Sequence, residues 1–105
     1  ELLQATALAY QAECAMALGQ FAEADRFVQQ SITKDPSLPH GQRILGLIAM
    51  QTGKPEQARL ALENASRLDP ANDRVYFQLS NVLRQLGETD VAEQAFRKHE
   101  QIKAL

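Results

Sequence analysis

The chain has 105 residues, of which 45% are hydrophobic and 23% charged, and its formal net charge is −2. These proportions are typical of an ordered domain and argue against a disordered chain. The Lys and Arg residues are spread along the sequence without the basic patch that nucleic-acid binding requires, and no apolar run approaches the ~18 residues of a membrane-spanning helix. We therefore expect no nucleic-acid partner and no direct insertion into a membrane.

The first two predicted helices cover residues 5–18 and 22–34. Residues 5–18 are dense in Ala, Leu and Met and contain neither Gly nor Pro, a composition of strong helix formers. Gly19 ends this helix, because Gly adopts the left-handed conformation past a helix end at little cost. Residues 1–4 are expected to extend the first helix or to end a preceding unit. Pro36 ends the second helix, since proline disfavours helical backbone at the residue before it.

The remaining helices repeat this order of signals. The third is predicted over residues 39–52, with Ser37 as its N-cap and Pro39 in its first turn. The fourth runs from Pro55 to the Asp-Pro at residues 69–70, and the fifth from the N-cap Asn72 to Gly87. The sixth continues to the end of the chain. Six helices of roughly 12 to 15 residues with short loops indicate an all-α protein.

A period of 34 residues runs through these signals. Three turn glycines and three alanines in the second helices recur at this interval, namely Gly19, Gly53 and Gly87, and Ala24, Ala58 and Ala92. The period divides the chain into units of about residues 5–38, 39–72 and 73–105. One helix pair cannot cover its own apolar face, so neighbouring pairs must stack to form a continuous core. Gly46 and Ala58 are the small residues expected at the close contact within the middle pair.

The middle unit resembles the tetratricopeptide repeat in its Leu45-Gly46 pair, its turn glycine, Ala58 and the Leu-Asp-Pro at residues 68–70. The resemblance covers about residues 5–105. It implies an all-α solenoid in which antiparallel helix pairs stack into a right-handed superhelix. We predict one repeat domain over residues 1–105. Because the sequence does not begin with Met, we expect it to be a fragment of a longer protein, and its cellular compartment is left open.

In this family the first helices of the units line a concave groove that receives segments of partner proteins. The resemblance therefore implies a protein–protein interaction module that binds a peptide. Carried over residue by residue, the predicted peptide-binding groove consists of Ala9, Glu13, Met16, Arg43, Leu47, Met50, Phe77, Asn81 and Arg84. Phe77 is the candidate anchor, because aromatic side chains often dominate binding energy, and packing against a neighbouring repeat is the alternative role for it. His40 and Arg74 are expected at the edge of the groove.

The resemblance also bears on the kind of ligand. Chaperone-binding members of the family hold a C-terminal carboxylate with a Lys and an Asn on the first helix of unit one. In this sequence Ala9 and Glu13 occupy those two positions, and the negative charge of Glu13 would repel a carboxylate. We therefore predict a mixed apolar and polar groove, in which Arg43 and Arg84 pair with acidic residues of a ligand.

No catalytic, cofactor-binding or metal-binding motif accompanies the repeats. Cys14 is expected to be buried, because it stands where the other units have Ile48 and Val82. His40 and His99 have no partners at metal-ligand spacing and are expected at the surface or an edge. We do not predict an enzyme, although a catalytic domain elsewhere in a longer protein is compatible with the repeats.

A second function is a structural spacer or self-association segment of a larger multi-repeat protein or enzyme. Repeat arrays need polar caps at their ends. The last helix carries Ile102 and the chain ends in Leu105, which leave an incomplete cap, and the Ala-rich start has none. Homo-oligomers formed through these ends are therefore an alternative to a single peptide-binding groove.

Overall fold

The computed structural model describes residues 2–105, and all regular structure in this range is helical. The six helices are α1 (Leu2–Ala17), α2 (Phe21–Lys34), α3 (Pro39–Gln51), α4 (Pro55–Leu68), α5 (Asp73–Gln85) and α6 (Thr89–Lys103). Consecutive helices form the pairs α1–α2, α3–α4 and α5–α6, and each later pair packs on the one before it. The predicted solenoid of stacked helix pairs is confirmed.

The helix boundaries follow the local signals closely. Residues 2–4 extend the first helix, whereas Glu1 lies outside the described residues. The turn glycines Gly19, Gly53 and Gly87 have φ values of 77°, 76° and 80°. A β-carbon at any of the three would meet no atom within 4 Å. The backbone conformation, and not a lack of space, is therefore what favours glycine at these turns.

One of the two predicted N-caps is confirmed and the other is wrong. The Asn72 side chain accepts a hydrogen bond from the Arg74 amide at 3.1 Å. Ser37, in contrast, does not cap α3, whose N-cap residue is Leu38. The Ser37 amide and hydroxyl both donate to Asp35 Oδ1, at 3.1 and 2.7 Å. Its hydroxyl is thus used within the turn after α2, a common alternative for serine beside aspartate.

The middle helix pair is held together at Gly46. A β-carbon at this position would lie 2.7 Å from Leu62 Cγ and 3.4 Å from the Ala58 carbonyl oxygen. Only glycine allows α3 and α4 to approach this closely. Ala12 and Ser80, which stand at the same place in the other pairs, are fully buried. The predicted close contact is present in the middle pair, and the small residues at the same place in the other two pairs are buried as well.

Each further pair buries the outer face of the pair before it. One buried cluster joins Ala24 and Val28 of α2 to Ile44 and Ile48 of α3. A second cluster joins Leu62 and Ala65 of α4 to buried residues of α5 and α6. Apolar side chains of the second helices thus become core only when the following first helix covers them.

Cys14 is exposed, so the prediction that it is buried is wrong. Its counterparts Ile48 and Val82 are buried because they point at α2 and α4 of the preceding pairs. Within the described residues no helix pair precedes α1, and the side of α1 that carries Cys14 is therefore uncovered. Burial at this position depends on the neighbouring pair and not on the residue itself.

Candidate functional site

The first helices of the three pairs form the inner side of the stack. Within residues 2–105, α1 contacts α3 and α3 contacts α5, whereas α2, α4 and α6 make no contacts with one another. The second helices are therefore further apart than the first helices, and the stack curves with α1, α3 and α5 on its concave side. This arrangement places six of the nine predicted groove residues, two from each first helix, along one surface.

Two rows of partly exposed side chains run along this surface, with one residue from each first helix. The first row is Glu13, Leu47 and Asn81, and the second is Met16, Met50 and Arg84. Five of the six are half-buried and Arg84 is exposed. Met16, Leu47 and Met50 pack against the core on one side. Their other side is the apolar part of the concave surface.

The remaining three predicted groove residues are Ala9, Arg43 and Phe77, one from each first helix. Their exposure to solvent differs with the position of the helix in the stack. The exposed fraction is 0% for Ala9, 8% for Arg43 and 42% for Phe77. Ala9 is thus covered and offers no surface to a ligand. Phe77 is open because no first helix follows α5 in the described residues. Its ring lies 5.2 Å from the His99 ring and 6.4 Å from the Phe96 ring, on the outer end of the last pair.

An ionic cluster joins α1 to α3 at one edge of the concave surface. His40 Nε2 lies 3.2 Å from Glu13 Oε1, and the Arg43 guanidinium lies 3.3 Å from His40 Nδ1. Arg43 Nη2 is also 3.9 Å from Glu13 Oε2. The ring of Tyr10 covers the imidazole with a centroid distance of 4.7 Å. The cluster fixes the side chains of Glu13 and Arg43 on the concave face.

The pKa of His40 is lowered from its ordinary value of 6.5, chiefly by burial and then by the positive charge of Arg43, against an opposing effect of Glu13. The geometry agrees, because an arginine can only donate to Nδ1 when that nitrogen carries no proton. The neutral imidazole therefore has its proton on Nε2, which faces Glu13. Burial also lowers the pKa of Arg43, although guanidinium groups stay charged in proteins.

We expect the stability of the protein to fall on mild acidification because of His40. A pKa that is lower in the folded state means that unfolding takes up a proton as the pH falls through about 6.5, the ordinary value for His. The contribution of His40 is thus complete above pH 7 and is lost as the pH decreases toward the lowered folded-state pKa. Urea unfolding between pH 7.5 and 5 measures this loss, and His40→Gln should flatten that part of the profile. An unchanged slope in the variant would contradict the assignment.

A cleft of about 490 Å³ opens beside this cluster. It is lined by Tyr10, Glu13, His40, Arg43, Arg74, Leu38, Pro39, Asp69 and Asn72. His40 and Arg74 therefore line the same cleft, and Arg74 supplies its exposed positive charge. Tyr10, Asp69 and Asn72 were not among the predicted residues. Tyr10 and Asn72 share no residue type with the equivalent positions of the other units, whereas Asp69 repeats Asp35 as part of the Asp-Pro that ends a second helix, which points to a turn and not to a site.

Arg84 lies at the opposite end of the concave surface. Its Nη1 donates to Asn81 Oδ1 at 3.3 Å, and the guanidinium lies over the Phe96 ring at 5.5 Å. Both contacts hold the side chain extended while leaving it exposed to solvent. This arginine, in contrast to the buried Arg43, is free to pair with an incoming acidic group.

The second helices carry charges on the outer side, among them Arg97, which pairs with Glu93 at 3.6 Å. Arg59 bridges two units, since it lies 2.8 Å from Glu56 and 2.7 Å from Glu88. Residues 2–105 contain no cluster of side chains suited to a metal ion. Over the same range, no helix combines the length and the apolarity needed to cross a membrane.

Comparisons with known proteins agree with this architecture. A sequence model of the tetratricopeptide repeat matches residues 45–104, whereas no curated protein sequence matches the chain. The second repeat domain of Spaghetti (RPAP3), bound to an HSP90 peptide, has a TM-score of 0.90 at 17% identity, with 94% of this chain and 92% of that chain covered.

Two other solved structures share the fold. The Sgt2 repeat domain from Aspergillus fumigatus has a TM-score of 0.88 at 19% identity, with 95% of this chain and 66% of that chain covered. A mutant O-GlcNAc transferase from Thermobaculum terrenum has a TM-score of 0.91 at 22% identity, with 97% of this chain but 20% of the transferase covered. The family match spans more than half of the sequence, and the chain belongs to the tetratricopeptide repeat family.

Proposed function

We propose that the concave face binds an extended peptide segment of a partner protein and that the chain serves as a scaffold or adaptor without catalysis. The observation that carries the proposal is the pair of half-exposed rows, Glu13–Leu47–Asn81 and Met16–Met50–Arg84. Their positions repeat in each unit, whereas their side chains differ from unit to unit except for the two methionines. A surface of regular geometry and varied chemistry is suited to recognising one sequence among many.

The length of the face sets the length of the ligand. Packed helices lie about 8–10 Å apart, so the three first helices span roughly 20 Å, which corresponds to about six residues of extended chain. Leu47 and Met50 on α3 form the apolar centre of that span, and Met16 extends it toward α1; methionine adapts well to varied ligands. The segment we propose has an apolar side chain at its middle.

Charge gives the segment a direction. Glu13 at the α1 end is already paired with His40 and Arg43, whereas Arg84 at the α5 end is exposed. An acidic residue of the ligand is therefore best placed beside Arg84, where Asn81 can also donate a hydrogen bond. Arg74 at the edge of the cleft offers a second position for an acidic group.

A C-terminal carboxylate is not the feature that this face recognises at its α1 end. The Spaghetti domains in the comparison hold the HSP90 peptide SRMEEVD. In this chain Ala9 is fully covered, and the Glu13 carboxylate occupies the place next to His40 and Arg43. We expect SRMEEVD with a free C-terminus to bind no more tightly than its C-terminally amidated form.

The test is selection from a display library of random heptapeptides, followed by affinity measurements on the selected peptides. Arg84→Glu should weaken them at least about tenfold, which corresponds to the loss of one charge-assisted contact of roughly 1.4 kcal/mol and its replacement by repulsion. Arg97→Glu is the matched control, since it makes the same charge change on the outer side. Equal affinities for Arg84→Glu and the unchanged protein would refute the groove assignment, as would a library without enriched sequences.

A further inference from the structure

His40 links the first two units through contacts that suit its uncharged form. Its Nδ1 lies 3.3 Å from Arg43 Nη2, and an arginine can donate a hydrogen bond only to a nitrogen that carries no proton. Its Nε2 lies 3.2 Å from Glu13 Oε1. Among the described residues, however, this buried nitrogen has no partner aligned for a hydrogen bond. The neutral imidazole therefore holds Arg43 better than it holds Glu13.

Protonation of the imidazole reverses the order of these two contacts. A proton on Nδ1 removes the acceptor for Arg43 and places a positive charge beside a guanidinium nitrogen only 3.3 Å away. The same charge strengthens the contact with Glu13, because a charge-assisted hydrogen bond is roughly twice as strong as a neutral one. Arg43 is therefore displaced from the ring, whereas Glu13 keeps its partner.

The cleft beside this cluster gives Arg43 the space to turn away from the ring. Its volume is about 490 Å³, and its walls carry two carboxylates, Glu13 and Asp69, and two guanidinium groups, Arg43 and Arg74. These four charges cancel while His40 is neutral. Protonation of His40 leaves the cleft with one net positive charge, and the exposed Arg74 lies in the same cleft as the displaced Arg43.

The direction of the pH effect follows from the groups that face the imidazole. They come from α1, from α3 and from the start of α5 with the turn before it, namely Tyr10, Glu13, Arg43, Asp69 and Arg74. Burial lowers the pKa of His40 most, Arg43 lowers it further, and Glu13 opposes both. The imidazole thus gains its charge below pH 6.5, the ordinary value for histidine.

We infer that this cleft is a second binding site for an acidic side chain of the peptide, which opens when protonation of His40 releases Arg43 to face the ligand beside Arg74. The inference rests on the proposed peptide binding, because Glu13 belongs both to the cleft and to the first row of the concave face. A peptide in the groove therefore passes the mouth of the cleft. Acidic peptides should bind more tightly as the pH falls.

The sign of this response separates it from a titration of the ligand. A glutamate of the peptide loses its charge only toward its pKa of about 4.3, and that loss weakens binding to arginine. A peptide that prefers protonated His40 must also favour its protonation, since the two equilibria are linked. Binding should therefore take up a fraction of one proton, which calorimetry at about pH 6 measures in two buffers of different ionisation enthalpy.

The affinity test uses two probes at pH 7.5 and 5, with native helicity checked by circular dichroism. One probe is a selected heptapeptide that contains Asp or Glu, and the other is tetraglutamate with an acetylated N-terminus and an amidated C-terminus, which needs no selection. We expect both to bind at least about threefold more tightly at pH 5, the effect of about one added charge pair at a partly exposed site.

Two variants assign the response to one histidine. His40→Gln retains an acceptor for Arg43 and a donor for Glu13 but cannot be protonated, so its affinity for the probes should not rise between pH 7.5 and 5. His99→Gln is the matched control, because it removes the other of the two histidines and should keep the full response. If His40→Gln failed to fold, the proton uptake of the unchanged protein would decide.

Three results would overturn the inference. These are tetraglutamate binding that is absent or no tighter at pH 5, a pH response that persists in His40→Gln, and binding without proton uptake. The groove and the cleft can fail separately. Selected peptides with an affinity that does not rise at low pH would refute the cleft alone, whereas a library without enriched sequences would refute the groove even if tetraglutamate responded to pH.

Discussion

Replacing Leu62 by alanine is expected to lower the free energy of unfolding by about 2–5 kcal/mol, the range for truncating a buried leucine. Leu62 is fully buried. It belongs to the cluster that joins α4 to α5 and α6, and its Cγ fills the space that Gly46 leaves on α3. Truncation therefore leaves a cavity where three helices of two units meet, and a glycine opposite cannot fill it.

Urea unfolding, followed by the circular dichroism signal of the helices, measures this loss of stability. Leu60→Ala is the matched control, because it makes the same substitution on the same helix at a residue that is 59% exposed. Its midpoint should change little. Equal midpoints for the two variants would mean that the contact between α3 and α4 does not depend on Leu62.

Gly46→Ala is expected to be destabilising although alanine is the better helix former. A new β-carbon would lie 2.7 Å from Leu62 Cγ and 3.0 Å from Leu62 Cδ2. Such overpacking costs about 1–3 kcal/mol, whereas glycine to alanine within a helix gains about 1 kcal/mol. The close contact places the cost near the upper end of its range, which leaves a net loss of about 2 kcal/mol.

The double variant makes this prediction specific. In the Leu62→Ala background the two crowded carbons are gone, so Gly46→Ala should change sign and stabilise by up to about 1 kcal/mol. Gly53→Ala is the control: its cost comes from a φ of 76° and not from crowding, and Leu62→Ala should leave that cost unchanged. If Gly46→Ala had the same effect in both backgrounds, the close approach of α3 and α4 would not be the reason for glycine.

The chemistry of the concave face was only partly predictable. The period placed Glu13, Leu47 and Arg84 on one side of the first helices, and the structure brings them to one surface. The pairing of Glu13 with His40 and Arg43 had no sequence signal, because it joins side chains from different units that share no repeated residue type. Because that pairing occupies Arg43, Arg84 is the exposed arginine among the predicted groove residues.

The sequence by itself determined the helices, their turns and their order of stacking. These features follow from local signals, such as glycine at a positive φ after a helix and proline in a first turn, repeated every 34 residues. The tertiary structure alone decided which equivalent residues are exposed. Ala9, Arg43 and Phe77 share one repeat position, as do Cys14, Ile48 and Val82, yet their burial differs. The reason is that burial in a stack is supplied by the neighbouring unit, and a residue's own repeat does not specify whether that neighbour is present.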